Sequence, residues 1–228
     1  MSKQVRLDKY LADMNVGTRS EVKTLIKKKR VKVNGAIVNK ENIKIDMEND
    51  EVMLNDSIIK YVEYEYYMLN KPAGVVSATE DSKDRTVVDL IKKNTKKLFP
   101  VGRLDKDTEG LLILTNDGQL AHNLLSPKKH VDKKYYARIK GVVDIEYIEQ
   151  FSKGLNINDE YVTKPALLEI ISVDKENNQS EIYVTITEGK YHQVKRMFKA
   201  VGMEVVYLKR VSMGRIILDE RLELGEYR

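Results

Sequence analysis

The sequence predicts an α+β protein in two parts. A small N-terminal α/β unit spans residues 1–60, and a larger unit over 61–228 is built on a mixed, mainly antiparallel sheet flanked by helices. Three observations predict this. The 228 residues amount to about one and a half typical domains, enough for a large core beside a small one. The first 40 residues hold eleven Lys or Arg against three Asp or Glu, net +8, which leaves the other 188 at −3. The hydrophobic period also changes along the chain, from two helices and a hairpin at the start to alternating strands and short helices after residue 60.

In the first unit, Leu7, Tyr10, Leu11 and Met14 fall at i, i+3, i+4 and i+7, an amphipathic helix that Asn15-Val16-Gly17 terminates. Thr18-Arg19-Ser20-Glu21 has the form of a capping box, and Val22, Leu25 and Ile26 supply the apolar stripe of a second helix. On that helix Arg19, Lys23 and Lys27 recur every four residues, with Arg30 three turns from Arg19, a ridge suited to phosphate. Val31-Lys32-Val33 and Ala36-Ile37-Val38 flank Asn34-Gly35, a dipeptide suited to a type I′ turn. An acidic, hairpin-like stretch follows at 46–56. Positive charge this concentrated points to a nucleic-acid partner, against a merely solvated basic face.

Arg6-Leu7-Asp8-Lys9-Tyr10-Leu11, the Thr18 helix start and Arg30-Val31-Lys32-Val33-Asn34-Gly35 together resemble an S4 RNA-binding domain over roughly residues 3–50. Such a module implies placement on structured RNA through shape and backbone rather than chemistry. The resemblance puts Arg6, Arg19, Lys23, Lys27, Arg30 and Lys32 against RNA.

In the second unit, a strand at 64–70 ends in Asn70-Lys71-Pro72-Ala73-Gly74, which reads as a turn. Val87, Val88, Leu90 and Ile91 make a short helix, and 110–115 is a nearly continuous apolar run stopped by Asn116-Asp117-Gly118. Then come a strand at 135–139, a helix at 144–155 with Ile145, Ile148 and Phe151 inward, and strands near 168–173 and 181–187. A helix with Val194, Met197, Phe198 and Val201 inward precedes strands at 205–211 and 215–219.

The 42% hydrophobic and 33% charged residues are those of a globular protein. No stretch approaches the roughly 18 apolar residues of a membrane helix, and the N-terminus lacks a signal-peptide apolar core, so a cytoplasmic protein without membrane attachment is expected. Zero cysteines remove disulfides and thiolate sites, and His122, His130 and His192 lack metal-ligand spacing, so no structural metal is expected. Without a phosphate-cradling glycine loop, ATP- or NAD-driven chemistry is disfavoured.

Gly102-Arg103-Leu104-Asp105-Lys106-Asp107-Thr108-Glu109-Gly110 is a carboxylate-rich loop feeding the apolar strand, a rigid support for reactive groups. Its chemistry admits paired carboxylates for glycoside cleavage, a magnesium site, or plain turn residues. The run from Gly102 to Gly118 resembles the signature of the RsuA and RluB/E/F pseudouridine synthases throughout. Leu69-Asn70-Lys71-Pro72-Ala73-Gly74, Lys133-Lys134-Tyr135 and Glu188-Gly189-Lys190-Tyr191-His192-Gln193-Val194-Lys195-Arg196-Met197 follow the same family in order.

That resemblance implies the pseudouridine synthase fold, no cofactor, and Asp105 as the nucleophile on a flipped uridine, at C1′ or at C6. It makes Lys195 the cation that keeps Asp105 ionised, a residue that lies off its helix's apolar stripe and can face a cleft. Tyr135 stacks on the base and assists deprotonation, while Tyr136 points to the opposite face of the strand. Arg103 shares a face with Asp105 and fills the place of the flipped base or binds phosphate. Lys71, Lys133, Lys190, His192 and Arg196 complete the RNA contacts, with Asp107 and Thr108 shaping the loop. The His192-Gln193-Val194-Lys195 phrase most resembles the RsuA type, which implies a monomer modifying small-subunit ribosomal RNA, within assembly intermediates of the subunit. The rivals are a large-subunit synthase, a non-catalytic RNA-binding protein and a sugar-processing hydrolase.

Overall fold

The computed structural model describes residues 4–92, 96–158 and 161–228. The chain divides into two compact units, one over 4–65 with Lys96 and Lys97, the other over 66–92 and 98–228.

The first unit contains strand β1 (Gln4–Arg6), helices α1 (Leu7–Asp13) and α2 (Arg19–Lys27), and strands β2 (Val31–Val33), β3 (Ala36–Ile37), β4 (Lys44–Asp46), β5 (Val52–Leu54) and β6 (Ser57–Ile58). Leu7, Tyr10 and Leu11 of α1 meet Val22 and Ile26 of α2 in one buried cluster with Val31, Ile45 and Val52. The capping box starts α2 as its sequence dictates: Glu21 N donates to Thr18 Oγ1 at 3.3 Å, and Thr18 N to Glu21 Oε2 at 2.7 Å. Asn34 and Gly35 turn β2 into β3 with φ of 50° and 77°. The acidic stretch is not a hairpin of its own. β4 pairs with β1 and β5 with β2, and the tight turn lies at Asn55 and Asp56, which lead β5 into β6.

The second unit contains β7 (Tyr66–Lys71), β8 (Phe99–Pro100), β9 (Glu109–Thr115), α3 (Gly118–Leu125), β10 (Lys133–Lys140), α4 (Ile145–Lys153), β11 (Asn156–Asn158) and β12 (Tyr161–Val162). It continues with β13 (Leu167–Asp174), β14 (Gln179–Ile186), α5 (Gln193–Ala200), β15 (Glu204–Met213) and β16 (Ile216–Ile217). Its main sheet runs β13-β14-β10-β15-β9-β7, with β16 on β15 and β8 on β9. Every pairing is antiparallel except β15 with β9, so the sheet is mixed and mainly antiparallel.

That parallel pair sets Arg210 opposite Gly110, and it requires the glycine: φ there is +98°, and a Cβ would lie 2.2 Å from the Arg210 carbonyl oxygen. Alternate residues of β10, Tyr135, Ala137 and Ile139, face a core closed by Phe151 of α4 and Val194, Met197 and Phe198 of α5. The Phe151 and Phe198 rings tilt together at 4.9 Å between centroids, a contact worth about 0.5–1.5 kcal/mol beyond burial. On the other face α3 packs through Ala121 against Leu111, Ile113 and Met213. Asp117 starts α3 by accepting from Gln119 N and Leu120 N, so Asn116-Asp117-Gly118 ends one element and opens the next. Ile145 departs from its expected inward position. It is 78% exposed, because α4 begins with it and turns its core face only at Ile148 and Phe151.

Candidate active site

Three adjacent strands bring the site together. Arg210 on β15 lies opposite Gly110 on one side and Tyr135 on the other, so the loop before β9 ends one strand away from the start of β10. The loop is fastened from below. Ser77 Oγ donates to Leu104 O at 2.8 Å and accepts from Leu104 N at 3.0 Å, while Gly74 N donates to Lys106 O at 2.7 Å. Thr108 N closes a turn onto Asp105 O at 3.0 Å.

Lys71 supplies the main anchor. Its ammonium reaches Thr108 O at 2.9 Å, Pro72 O at 3.0 Å, Asp105 O at 3.1 Å and Lys106 O at 3.3 Å, and the residue is fully buried. This corrects its expected role: a side chain closed off beneath the loop cannot meet RNA. Burial pushes its pKa down to about 8, against the opposing pull of Asp107, Glu109 and Asp105.

Arg103, Asp105, Tyr135, Lys190, His192 and Lys195 line one pocket. The Asp105 carboxylate is 27% exposed and lies between the Lys195 ammonium and the His192 imidazole, with Lys195 Nζ at 3.5 Å from Oδ2 and His192 Nε2 at 3.5 Å from Oδ1. Lys195 is nearer to Asp107, at 2.6 Å, and that hydrogen bond holds the Asp107 carboxyl below the usual carboxylate range. The lysine thus ties the two carboxylates of the loop to α5. Among the described residues no three His, Asp or Glu are grouped to hold a metal ion. Tyr135 is 8% exposed, while Tyr136 points to the opposite face, edge-on to Tyr183 and Tyr207.

Arg103, Asp105, Tyr135, Lys190 and His192 also border a wider cleft of about 860 Å³, to which Lys106, Lys133, Lys164 and Arg210 contribute further positive charge. Lys133 donates to Val131 O at 2.8 Å, and burial together with Arg210 lowers its pKa. Arg196 is not at either pocket. Its guanidinium donates to Ile157 O at 3.1 Å and Tyr191 O at 3.4 Å. In the first unit, Arg6, Arg19 and Lys23 line a separate groove with Asp8, Lys9 and Ser20. Lys27 is exposed but not on that groove. Arg30 does not continue the ridge, because α2 ends at Lys27 and Lys29 is left-handed; Arg30 bonds Asn55 at 2.6 Å, and Lys32 pairs with Asp56 at 2.5 Å.

Sequence reasoning missed the residues that hold the α5 side of the site. Glu188, 9% exposed, accepts from Gln193 Nε2 at 2.8 Å, from Lys164 N at 2.9 Å and from the Tyr161 hydroxyl. The Tyr161 hydroxyl, donating to that carboxylate and partly buried, is pushed up to about 12. Gln193 Oε1 in turn accepts from Lys190 N at 2.9 Å. The available signal was a carboxylate five residues before an amide across a glycine turn.

A carboxylate, a lysine, a histidine and a tyrosine thus meet on a mixed sheet, at a cleft lined with further positive charge. Residues 65–200 match the RNA pseudouridylate synthase family and residues 5–52 the S4 domain. The chain is 52% identical over 226 residues to the uncharacterized RNA pseudouridine synthase YtzG of Bacillus subtilis, covering 98% of this chain and 94% of that one. It is 42% identical to the ribosomal large subunit pseudouridine synthase B of Bacillus subtilis, covering 90% and 84%. It is also 42% identical to the ribosomal small subunit pseudouridine synthase A of Haemophilus influenzae, covering 98% and 95%. A crystal structure of a pseudouridylate synthase superposes with a TM-score of 0.67 at 40% identity, covering 98% and 95%. The chain belongs to the RNA pseudouridylate synthase family and carries an S4 domain.

Proposed function

We propose that this enzyme converts a specific uridine of ribosomal RNA to pseudouridine, with Asp105 as the nucleophile. The observation that carries the reading is the placement of the Asp105 carboxylate between Lys195 and His192, in the same pocket as Tyr135. Moving the glycosidic bond from N1 to C5 of uracil needs three things of the protein. A carboxylate must detach the base by attack at C1′ or C6, a pocket must hold the base while it turns, and a base must take the C5 proton. Asp105 serves the first. Tyr135 serves the other two, stacking on the flipped base and lending its hydroxyl to proton transfer. Lys195, 3.5 Å from Oδ2, aims the Asp105 carboxylate. Arg103, at the pocket's edge, enters the space left by the flipped base or binds the adjoining phosphate. No step calls for a cofactor.

Small-subunit RNA is the first substrate to test. The His192-Gln193-Val194-Lys195 phrase supports it, as does the similarity to a small-subunit synthase over 98% of this chain. The equal identity to a large-subunit synthase favours a second reading on that RNA, so both transcripts belong in the assay. The protein acts as a cytoplasmic monomer, with small-subunit assembly intermediates as its partners. Asp105→Asn is expected to abolish pseudouridine formation, mapped on unmodified ribosomal RNA, and to leave RNA affinity within about threefold. Undiminished turnover in that variant would overturn the assignment.

A further inference from the structure

Tyr191 stands out from its surroundings because it is 76% exposed, although it sits at the edge of the reaction cleft. Its ring lies nearly parallel to the His192 imidazole, with centroids 3.8 Å apart and planes 18° from coplanar. The imidazole in turn lies against Asp105, 3.5 Å from Oδ1. A short aromatic stack therefore runs from the carboxylate outward, and its outer member is open to solvent.

The turn that presents this ring is fixed. His192 is left-handed at φ 51° and ψ 34°, Gln193 N donates to Lys190 O at 3.1 Å, and the Tyr191 carbonyl accepts from Arg196 at 3.4 Å. A large aromatic held on such a turn has little ordering entropy left to lose when it binds a flat ligand. The charge beside it selects the ligand. Lys106, Lys133, Lys164 and Lys190 border the same cleft, which suits a polyanion that carries flat rings.

We infer that Tyr191 is a stacking platform for a nucleobase flanking the target uridine in the RNA strand. The inference rests on the synthase reading. When the target uridine leaves its stack, its neighbour loses one partner, and the open face of Tyr191 replaces it. Every base has a π-face, so this subsite selects an unpaired, splayed strand rather than a particular sequence.

The chain contains no tryptophan, so Tyr191→Trp introduces a single reporter at the platform. Its emission is followed while unmodified small- and large-subunit ribosomal RNA transcripts are added to the full-length protein, with saturation established by filter binding. A base on the ring quenches the emission. In turnover assays on the transcript that wild-type protein modifies, Tyr191→Ala is expected to raise KM about tenfold with the loss falling on KM rather than kcat, and Tyr191→Phe to restore it. Emission unchanged at saturating RNA, or a KM for Tyr191→Ala equal to wild type, overturns the inference. Failure of wild-type protein to form pseudouridine in either transcript would count against the synthase reading, while the quenching, which needs binding alone, still decides on the platform.

Discussion

Lys71 holds three carbonyl oxygens of the Asp105, Lys106 and Thr108 turn, a turn that lies more than thirty residues further along the chain. From sequence the residue is a cation beside a proline in a surface turn. Its burial is written in the later loop that folds over it, which is why local reading placed it against RNA. Lys71→Met should leave those oxygens buried and unmatched, costing roughly 2–3 kcal/mol of stability, measurable by denaturant unfolding. The same variant should slow single-turnover chemistry on the order of 100-fold, because it releases the backbone that aims Asp105. The lowered pKa adds a pH signature. The folded-state value of about 8 lies below the unfolded value of roughly 10.4, so between them the unfolded chain binds more protons and this group raises stability as pH increases. A neutral amine has fewer hydrogens to share among the turn's carbonyls. The turnover rate is therefore expected to fall as pH rises past about 8 with no loss of Tm attributable to this group, and a rate level up to pH 9 would contradict the account. The Asp105, Tyr135 and Lys195 set, by contrast, was named through family resemblance, since chemistry alone left the loop open to three readings.

Elements were legible where their determinants are local. The capping box of α2, the Asn34-Gly35 turn and the alternation that sends Tyr135 inward and Tyr136 outward each depend on neighbours a few residues apart. Helix α3 was not legible, because Asn116-Asp117-Gly118 reads as a turn and only Ala121 of the helix is buried. Its stability leans on its cap. Asp117 accepts amides at 3.0 Å from Gln119 and Leu120, and these, with the Tyr66 hydroxyl, hold its carboxyl below the usual range. A depressed folded-state pKa contributes stability above the unfolded value of roughly 3.9, and that contribution is lost as pH falls through the folded value. Asp117→Ala is accordingly expected to lower Tm by roughly 2–4 °C at pH 7. The gap to wild type should begin to narrow as pH drops below about 4, where the unfolded chain takes up the proton first, and close once the folded cap is itself protonated. Asp117→Asn keeps an acceptor at both pH values and should track wild type at neutral pH. A gap that stayed constant down to pH 3 would mean that the carboxylate does not carry the cap.

The whole molecule divides its work between units with separate cores, and its charge is divided as well: the first 40 residues are net +8 and the rest net −3. The chemistry lies in the second unit and the concentrated charge in the first, so affinity and turnover should respond to different substitutions. Arg19 and Lys23 border the groove of the S4 domain, and Lys23 makes a loose ion pair with Glu41, at 3.6 Å, so both can exchange their surroundings for phosphate. Arg30 and Lys32, already bonded to Asn55 and Asp56, have more to give up. Each phosphate neutralised by a lysine or arginine releases counterions and adds about 0.7–0.9 to the slope of log affinity against log salt. Arg19→Ala with Lys23→Ala should therefore weaken RNA binding and flatten that slope by between 1 and 2, with the kinetic loss in KM. Arg30→Ala with Lys32→Ala should flatten it less. The opposite ranking would place the RNA along the β2–β3 hairpin instead of the α2 groove, and an unchanged slope in both pairs would remove the S4 domain from the anchoring of the substrate altogether.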